Sequence, residues 1–127
     1  MAAGKGKKKI LLVDDSSTVL LTERTMFDDG RFTILTAKNG REAVETAQRE
    51  KPDLIFMDVV MPEMDGFQAC RAMRESPVTK GTPIVMVTTR SEPQNVQAGF
   101  EAGCDEYMTK PFNHLELMEK LRHYLGE

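Results

Sequence analysis

Unbroken apolar runs constrain the fold of this chain more than any other feature of its sequence. Such runs occupy residues 10–13, 54–57 and 84–87, a β-rich segment covers residues 32–37, and a weaker strand pattern covers residues 106–109. Continuous apolar runs of this length are typical of strands buried on both faces, as in a parallel sheet. The sequence therefore predicts five strands in a parallel sheet.

Between these strands, apolar residues recur with the period of a helix. Helices are expected after Ser16 or Ser17, near Gly40, after Asp65, around residues 91–93 and over the C-terminal segment. The apolar residues expected to face the core are Val19, Leu20, Met26 and Phe27; Ala43, Val44 and Ala47; Phe67, Cys70 and Met73; Val96 and Phe100; and Leu115, Met118, Leu121 and Leu125. Strand–helix alternation repeated five times predicts an α/β fold with helices on both faces of the sheet.

Length and composition exclude several classes of protein. The 127 residues suit one domain, and 17 basic against 20 acidic side chains give a net charge of −3, which argues against binding to nucleic acid. No apolar run approaches the ~20 residues of a membrane span, and the N-terminus lacks the apolar stretch of a signal peptide. Two cysteines, Cys70 and Cys104, are expected to be reduced, buried thiols of a cytoplasmic protein.

The N-terminal segment differs from the remainder in composition. Four lysines lie within the first nine residues, so residues 1–8 are predicted to form a basic, disordered tail ahead of a domain over residues 9–127. Contact of this tail with a membrane or an acidic partner is the alternative. The fifth helix reaches the end of the sequence, so we expect no output domain in this chain.

Polar side chains follow four of the predicted strands at the point where each strand ends. Asp14 and Asp15 follow the first strand, Asp58 the third, Thr88 the fourth and Lys110 the fifth. The carboxyl ends of parallel strands meet at one edge of an open sheet, where ligands bind. Each residue alone has an ordinary structural explanation, such as a turn or a helix cap. Their joint placement predicts a site.

Three neighbouring carboxylates repel one another, and two unit charges at ~4 Å cost on the order of 4 kcal/mol at an effective dielectric constant of ~20. Protonation of one carboxyl or binding of a cation offsets this cost. Oxygen ligands suit Mg²⁺, which often pairs with a phosphate group. A carboxylate can attack phosphorus to give an aspartyl phosphate, whose oxygens Mg²⁺, a lysine and a hydroxyl would stabilise.

Four sequence blocks resemble those of a known family. They are LVDDS at residues 12–16, MDVVMPEMDG at 57–66, VTT at 87–89 and YMTKPF at 107–112. With this spacing, the chain from about residue 9 to residue 126 resembles the receiver domain of two-component response regulators, and in size the single-domain, CheY-like kind. The resemblance implies a flavodoxin-like, doubly wound sheet of five parallel strands in the order 2-1-3-4-5, with five helices.

The resemblance also implies a role for each matched residue. Asp58 would be the phosphoacceptor, with Thr88 and Lys110 bonding its phosphoryl group and Tyr107 acting as an aromatic switch. The Mg²⁺ ligands would be the side chains of Asp15 and Asp58, Asp14 through water, and the main-chain carbonyl of Val60. The Lys110–Pro111 bond is expected to be cis, and Val60 and Arg90 would flank the path of the attacking water.

By the same resemblance, a sensor histidine kinase would supply the phosphoryl group, and a phosphatase would be a further partner. The signal would pass to a downstream protein through the face formed by the fourth helix, fifth strand and fifth helix. The protein would be a monomer or a phosphorylation-dependent dimer, and not an enzyme acting on a separate substrate.

Three other functions are alternatives for this chain. A Mg²⁺-dependent hydrolase working through an aspartyl phosphate would carry a second aspartate two residues after the first, where this chain has Val60. A pseudo-receiver that is never phosphorylated would lose acidic residues, Thr88 or Lys110, and all five are present. A flavodoxin-like nucleotide-binding protein would have a glycine-rich loop after the first strand, where residues 14–16 read DDS.

Overall fold

The computed structural model describes residues 7–27, 30–89, 93–110 and 113–126, in which five strands alternate with five helices. The elements are β1 (Lys8–Val13), α1 (Ser17–Met26), β2 (Phe32–Ala37), α2 (Gly40–Glu50), β3 (Leu54–Met57), α3 (Gly66–Glu75), β4 (Ile84–Thr88), α4 (Pro93–Ala102), β5 (Glu106–Thr109) and α5 (His114–Leu125). This alternation confirms the predicted α/β class.

The five strands form one sheet in the order β2-β1-β3-β4-β5, and every neighbouring pair is parallel. The order confirms the doubly wound, flavodoxin-like topology. All residues of the central strands β3 and β4 are buried, as their unbroken apolar runs predicted. The register aligns the last residue of β1, Val13, with the last residue of β3, Met57, so these two strands end together.

The core lies in two layers, one on each face of the sheet. On one face the strand side chains pack against Leu20 of α1, Phe27 at the C-terminal end of that helix and Leu121 of α5. On the other face they pack against α2, α3 and α4, through residues such as Ala47 and Met73. Helices therefore cover both faces, so a polar group reaches solvent most readily at the ends of the strands.

Polar residues fix where the helices begin. Ser16 caps α1, because its Oγ accepts a hydrogen bond from the Val19 N–H at 3.2 Å, which confirms one of the two predicted caps. Asp65 caps α3 in a reciprocal arrangement with Gln68. The fourth helix begins at Pro93, where proline suits the first turn. Residue 91, named with it in the prediction, lies outside the described residues.

Two of the predicted core positions are wrong. Leu115 of α5 is 66% exposed, and the buried stripe instead runs through Leu117, Leu121 and Leu125, which follow one another at the four-residue spacing of a helix face. Phe100 of α4 is 50% exposed, although it was expected to anchor that helix. A leucine or phenylalanine inside an amphipathic pattern does not by itself reveal which side it takes.

Strand β1 begins at Lys8, two residues before the apolar run, and residues 1–6 lie outside the described part of the chain. Cys70 and Cys104 are both buried and free, as predicted. Within the described ranges, none of the helices has the length and apolar character needed to cross a membrane.

Candidate functional site

Backbone hydrogen bonds bring the predicted site residues to one edge of the sheet. The Asp58 N–H donates to the Val13 carbonyl at 2.9 Å, which ties the end of β3 to the end of β1. On the other side, the Lys110 N–H donates to the Thr88 carbonyl at 2.8 Å, which ties β5 to β4. The main chain at Asp58 and at Lys110 is thus fixed to the neighbouring strand, which brings these two residues to the same edge of the sheet.

Three carboxylates converge at this edge. One carboxylate oxygen from each of Asp14, Asp15 and Asp58 lies within 4.8 Å of the other two. Asp14 is only 3% exposed, Asp58 is half-buried and Asp15 is exposed, so the cluster opens to solvent on one side. Oxygen donors at this spacing, open to water, suit a hard divalent cation that keeps part of its hydration shell.

Lys110 supplies a positive charge to the cluster. Its Nζ donates a hydrogen bond of 2.7 Å to Asp14 Oδ2. Burial by itself would lower the pKa of Lys110, but the hydrogen bond to Asp14 and the charge of Asp58 raise it overall. The lysine therefore stays protonated and can meet a further anionic group.

Asp58 is held by two donors. Its Oδ1 accepts the N–H of Val59 at 2.8 Å, and the Thr88 hydroxyl, which is almost fully buried, donates to the same carboxylate. Burial raises the pKa of Asp58 above its usual value, Lys110 opposes the rise and Asp14 adds to it. The ionised form of Asp58 is thus disfavoured chiefly by burial, a cost that either protonation or a nearby cation offsets.

A glycine allows the loop after Asp58 to turn closely into α3. A Cβ at Gly66 would lie 2.3 Å from the Asp58 carbonyl oxygen, and the Gly66 N–H donates to the Val59 carbonyl at 2.9 Å. Val60, whose carbonyl was predicted to bind Mg²⁺, lies in this loop with its side chain 48% exposed. The start of α3 therefore braces the segment that carries Asp58.

Tyr107 lies on β5, paired in register with Met86 of the neighbouring strand. Its ring is half-buried and packs against the core layer on the side of α4. The ring sits where a side chain on Gly99 would otherwise be. Residues 90, 111 and 112 lie outside the described residues, and with them the predicted roles of Arg90 and of the Lys110–Pro111 bond.

Glu23, a buried carboxyl beside the site, was not predicted from the sequence. It is only 7% exposed, and burial raises its pKa to about 7, with Lys110 opposing the rise and Asp14 and Asp58 adding to it. With Lys110 and Thr89, Glu23 lines a cavity of about 420 Å³ on the α1 side. Its position three residues after Leu20, on the inner face of α1, was the available signal.

A family model described as the response regulator receiver domain matches residues 10–122. The chain therefore belongs to the receiver domain family of response regulators. The family resemblance given by the sequence blocks is confirmed, and the fold agrees with it.

Two curated relatives illustrate this membership. Protein PilH of Pseudomonas aeruginosa is 35% identical over 118 residues, which cover 93% of this chain and 98% of that protein. The alkaline phosphatase synthesis transcriptional regulatory protein PhoP of Bacillus subtilis is 36% identical over 118 residues, 93% of this chain. The chain spans 48% of PhoP, about half its length.

Solved structures agree with the fold and bear on the site. Vibrio cholerae chemotaxis protein CheY4 superposes with a TM-score of 0.86 at 36% identity, covering 94% of this chain and 99% of that one. The receiver domain of a sensor histidine kinase from Pseudomonas aeruginosa matches with a TM-score of 0.88 at 28% identity, covering 96% of this chain and 100% of that domain. That structure is described with a magnesium ion coordinated in the active site cleft.

Proposed function

We propose that this receiver domain is a phosphorylation-activated signalling switch whose phosphoacceptor is Asp58. The observation that carries the proposal is the set of groups around Asp58. These are two further carboxylates within 4.8 Å, the Thr88 hydroxyl and the protonated Lys110. This set combines a nucleophile with groups of the charge and hydrogen-bonding capacity that a phosphoryl group requires.

In the proposed reaction, an Asp58 carboxylate oxygen attacks the phosphorus of a phosphohistidine on a sensor kinase. An O–P bond forms, the N–P bond breaks, and its electron pair leaves with the histidine, which takes up a proton. Lys110 Nζ turns from Asp14 toward a phosphoryl oxygen, and the Thr88 hydroxyl donates to another. Hydrolysis of the acyl phosphate by water returns the switch to its starting state.

The acidic residues are proposed to hold Mg²⁺. Asp15 and Asp58 would bind through their side chains, Asp14 through water and Val60 through its main-chain carbonyl. When bound, Mg²⁺ would offset carboxylate repulsion and the charge of the transferring phosphoryl group. The spacing of the three carboxylates, and the opening of the cluster to solvent at Asp15, support this assignment.

The proposed output is a change in the surface formed by α4, β5 and α5. Movement of Thr88 toward the phosphoryl group would draw in the loop after β4 and let Tyr107 rotate. Two apolar side chains on the flanking helices, Phe100 and Leu115, are 50% and 66% exposed, which suits a protein-binding face. Between two elements of the same surface, Glu106 of β5 pairs with Lys120 of α5.

The proposed partners follow from this scheme. A sensor histidine kinase supplies the phosphoryl group, a downstream protein binds the altered surface and a phosphatase shortens the signal. These partners place the protein in the cytoplasm, as a monomer or a phosphorylation-dependent dimer. PilH and the chemotaxis protein CheY4 are among the similar proteins, which makes chemotaxis or motility the first pathway to examine.

No observation favours either a hydrolase or a pseudo-receiver. The position two residues after Asp58 carries Val60 in place of an acid/base carboxyl. The residues whose loss would mark a pseudo-receiver are all present. Lys110 donates to Asp14, Thr88 donates to Asp58, and a carboxylate oxygen of Asp14 lies within 4.8 Å of one of Asp58.

Incubation with Mg²⁺ and a small acyl phosphate, followed by intact-mass measurement, tests the proposal. We expect a gain of one phosphoryl group, lost when Mg²⁺ is chelated and lost in Asp58→Asn. Asp53→Asn is the matched control, because Asp53 is an exposed aspartate outside the cluster. No gain in the unaltered protein would indicate a pseudo-receiver, and steady turnover of a phosphate ester would indicate a hydrolase.

A further inference from the structure

The ring of Tyr107 occupies a place that only glycine leaves open on α4. Gly99 is buried within that helix, and a Cβ built on it would lie 2.9 Å from Cδ2 and 3.1 Å from Cε2 of the Tyr107 ring. Real Cβ atoms essentially never approach another heavy atom within 3.0 Å. The ring therefore rests directly on the backbone of α4.

Other contacts close the space around this seat. The Cys104 Sγ would lie 3.4 Å from the same Cβ, and the Cys104 N–H donates to the Gly99 carbonyl at 3.1 Å. Both Gly99 and Cys104 are buried, so neither the helix nor the loop that follows it can withdraw without opening the core. The ring is the part most able to move when the space at Gly99 is filled.

Glycine at this position carries a cost that its contact with Tyr107 offsets. Within a helix, glycine is ~1 kcal/mol less favourable than alanine. Helix propensity alone would therefore favour alanine at position 99. The close approach of the ring gives a physical reason for glycine here.

We propose that Gly99 is a positioning residue for the Tyr107 switch. Its missing side chain provides the seat that sets where the ring rests, and through the ring it sets how readily the site accepts a phosphoryl group. The inference rests on the proposed function in one respect, the coupling of Tyr107 to phosphorylation at Asp58. The seat itself depends only on the packing of α4 against β5.

The first measurement detects the position of the Tyr107 ring by a ¹⁹F resonance that belongs to this residue alone. The chain has no tryptophan and two tyrosines, so Tyr124→Phe leaves Tyr107 as the only tyrosine. In that background, labelled with fluorotyrosine, Gly99→Ala is expected to move the single ¹⁹F resonance. Gly81→Ala is the matched control, because its Cβ would meet nothing within 4 Å, and it is expected to leave the resonance in place.

The second measurement is the affinity for beryllium fluoride, a phosphoryl analogue, with Mg²⁺ present, by calorimetry. Displacing a ring from its rotamer corresponds to about a threefold to tenfold change in an equilibrium constant, and we expect Gly99→Ala to change the affinity by that factor. In a Tyr107→Ala background, Gly99→Ala is expected to have no such effect, because no ring remains to displace. This background also keeps the test usable if Gly99→Ala alone fails to fold.

An unmoved ¹⁹F resonance in Gly99→Ala would overturn the proposal. So would an affinity that matches Gly81→Ala, or one that changes equally with and without the Tyr107 ring. If the parent protein does not bind beryllium fluoride at all, the proposed function of Asp58 fails instead. The seat is then decided by the ¹⁹F resonance alone, which needs no phosphoryl analogue.

Discussion

Glu23 gives the sharpest prediction about stability, because it is a carboxyl buried beside a cluster of like charges. Burial, with the charges of Asp14 and Asp58, raises its pKa from the ordinary 4.5 to about 7. Substitution by glutamine keeps the shape of the side chain and removes its titration. The comparison of Glu23→Gln with the unaltered protein therefore isolates the cost of ionising this one group.

The sign and the size of the change in stability with pH follow from the linkage between protonation and folding. Between pH 4.5 and 7 the folded protein holds a proton on Glu23 that the unfolded chain has lost, so stability falls as pH rises through that window. One pKa unit corresponds to about 1.4 kcal/mol, so the whole rise corresponds to about 3 kcal/mol. Below pH 4.5 this cost is absent, and above pH 7 it is fully developed.

Urea unfolding at several pH values between 4 and 8, with EDTA present, measures the effect. We expect Glu23→Gln to gain stability relative to the unaltered protein as pH rises, by about 3 kcal/mol across the window. Glu119→Gln on α5 is the control, because Glu119 is exposed. The difference in free energy of unfolding between this variant and the unaltered protein should not change with pH. Adding Mg²⁺ should reduce the gain, since a cation bound near Asp58 favours the ionised form of Glu23.

This reasoning would be refuted if the difference in free energy of unfolding between Glu23→Gln and the unaltered protein did not vary with pH. Such a result would mean that Glu23 ionises as easily in the folded protein as in the unfolded chain. A changed dependence on urea concentration would point instead to an altered unfolded state.

Two further predictions concern packing and can be measured by urea unfolding. Gly40→Ala should destabilise the fold by about 1–3 kcal/mol, because its Cβ would lie 2.2 Å from the Met64 carbonyl oxygen, while Gly81→Ala should be nearly neutral. Arg74→Met should cost about 2–4 kcal/mol, because the guanidinium donates to the Asp105 carboxylate at 2.8 Å and to carbonyl oxygens of two loops. Stability unchanged by either substitution would contradict the corresponding contact.

Most of the fold was readable from the sequence because strands and helices here have distinct periods. The runs at residues 54–57 and 84–87 are apolar at every position, as expected of short strands covered on both faces. Whether a given apolar side chain faces the core or the solvent was harder to predict from the sequence. Leu115 and Leu117 are equally apolar, and only packing on the sheet decides that Leu117 is the buried one.

The residues of the candidate site could be predicted from the sequence, but the contacts between them could not. Each residue follows the same end of a predicted strand, and the set is Asp14, Asp15, Asp58, Thr88 and Lys110. That Lys110 donates to Asp14, and that Thr88 donates to Asp58, depends on distances between strands far apart in the chain.

By itself, the sequence determined the class of fold, its family and the residues gathered at one edge of the sheet, because these depend on local periodicity and short motifs. Only the tertiary structure revealed Glu23 beside the acidic cluster and Gly99 beneath the Tyr107 ring. Both depend on contacts between elements whose separation in space no local pattern records. Burial and close approach are properties of the packed molecule. Burial sets the pKa of Glu23, and close approach to Gly99 sets the position of the Tyr107 ring.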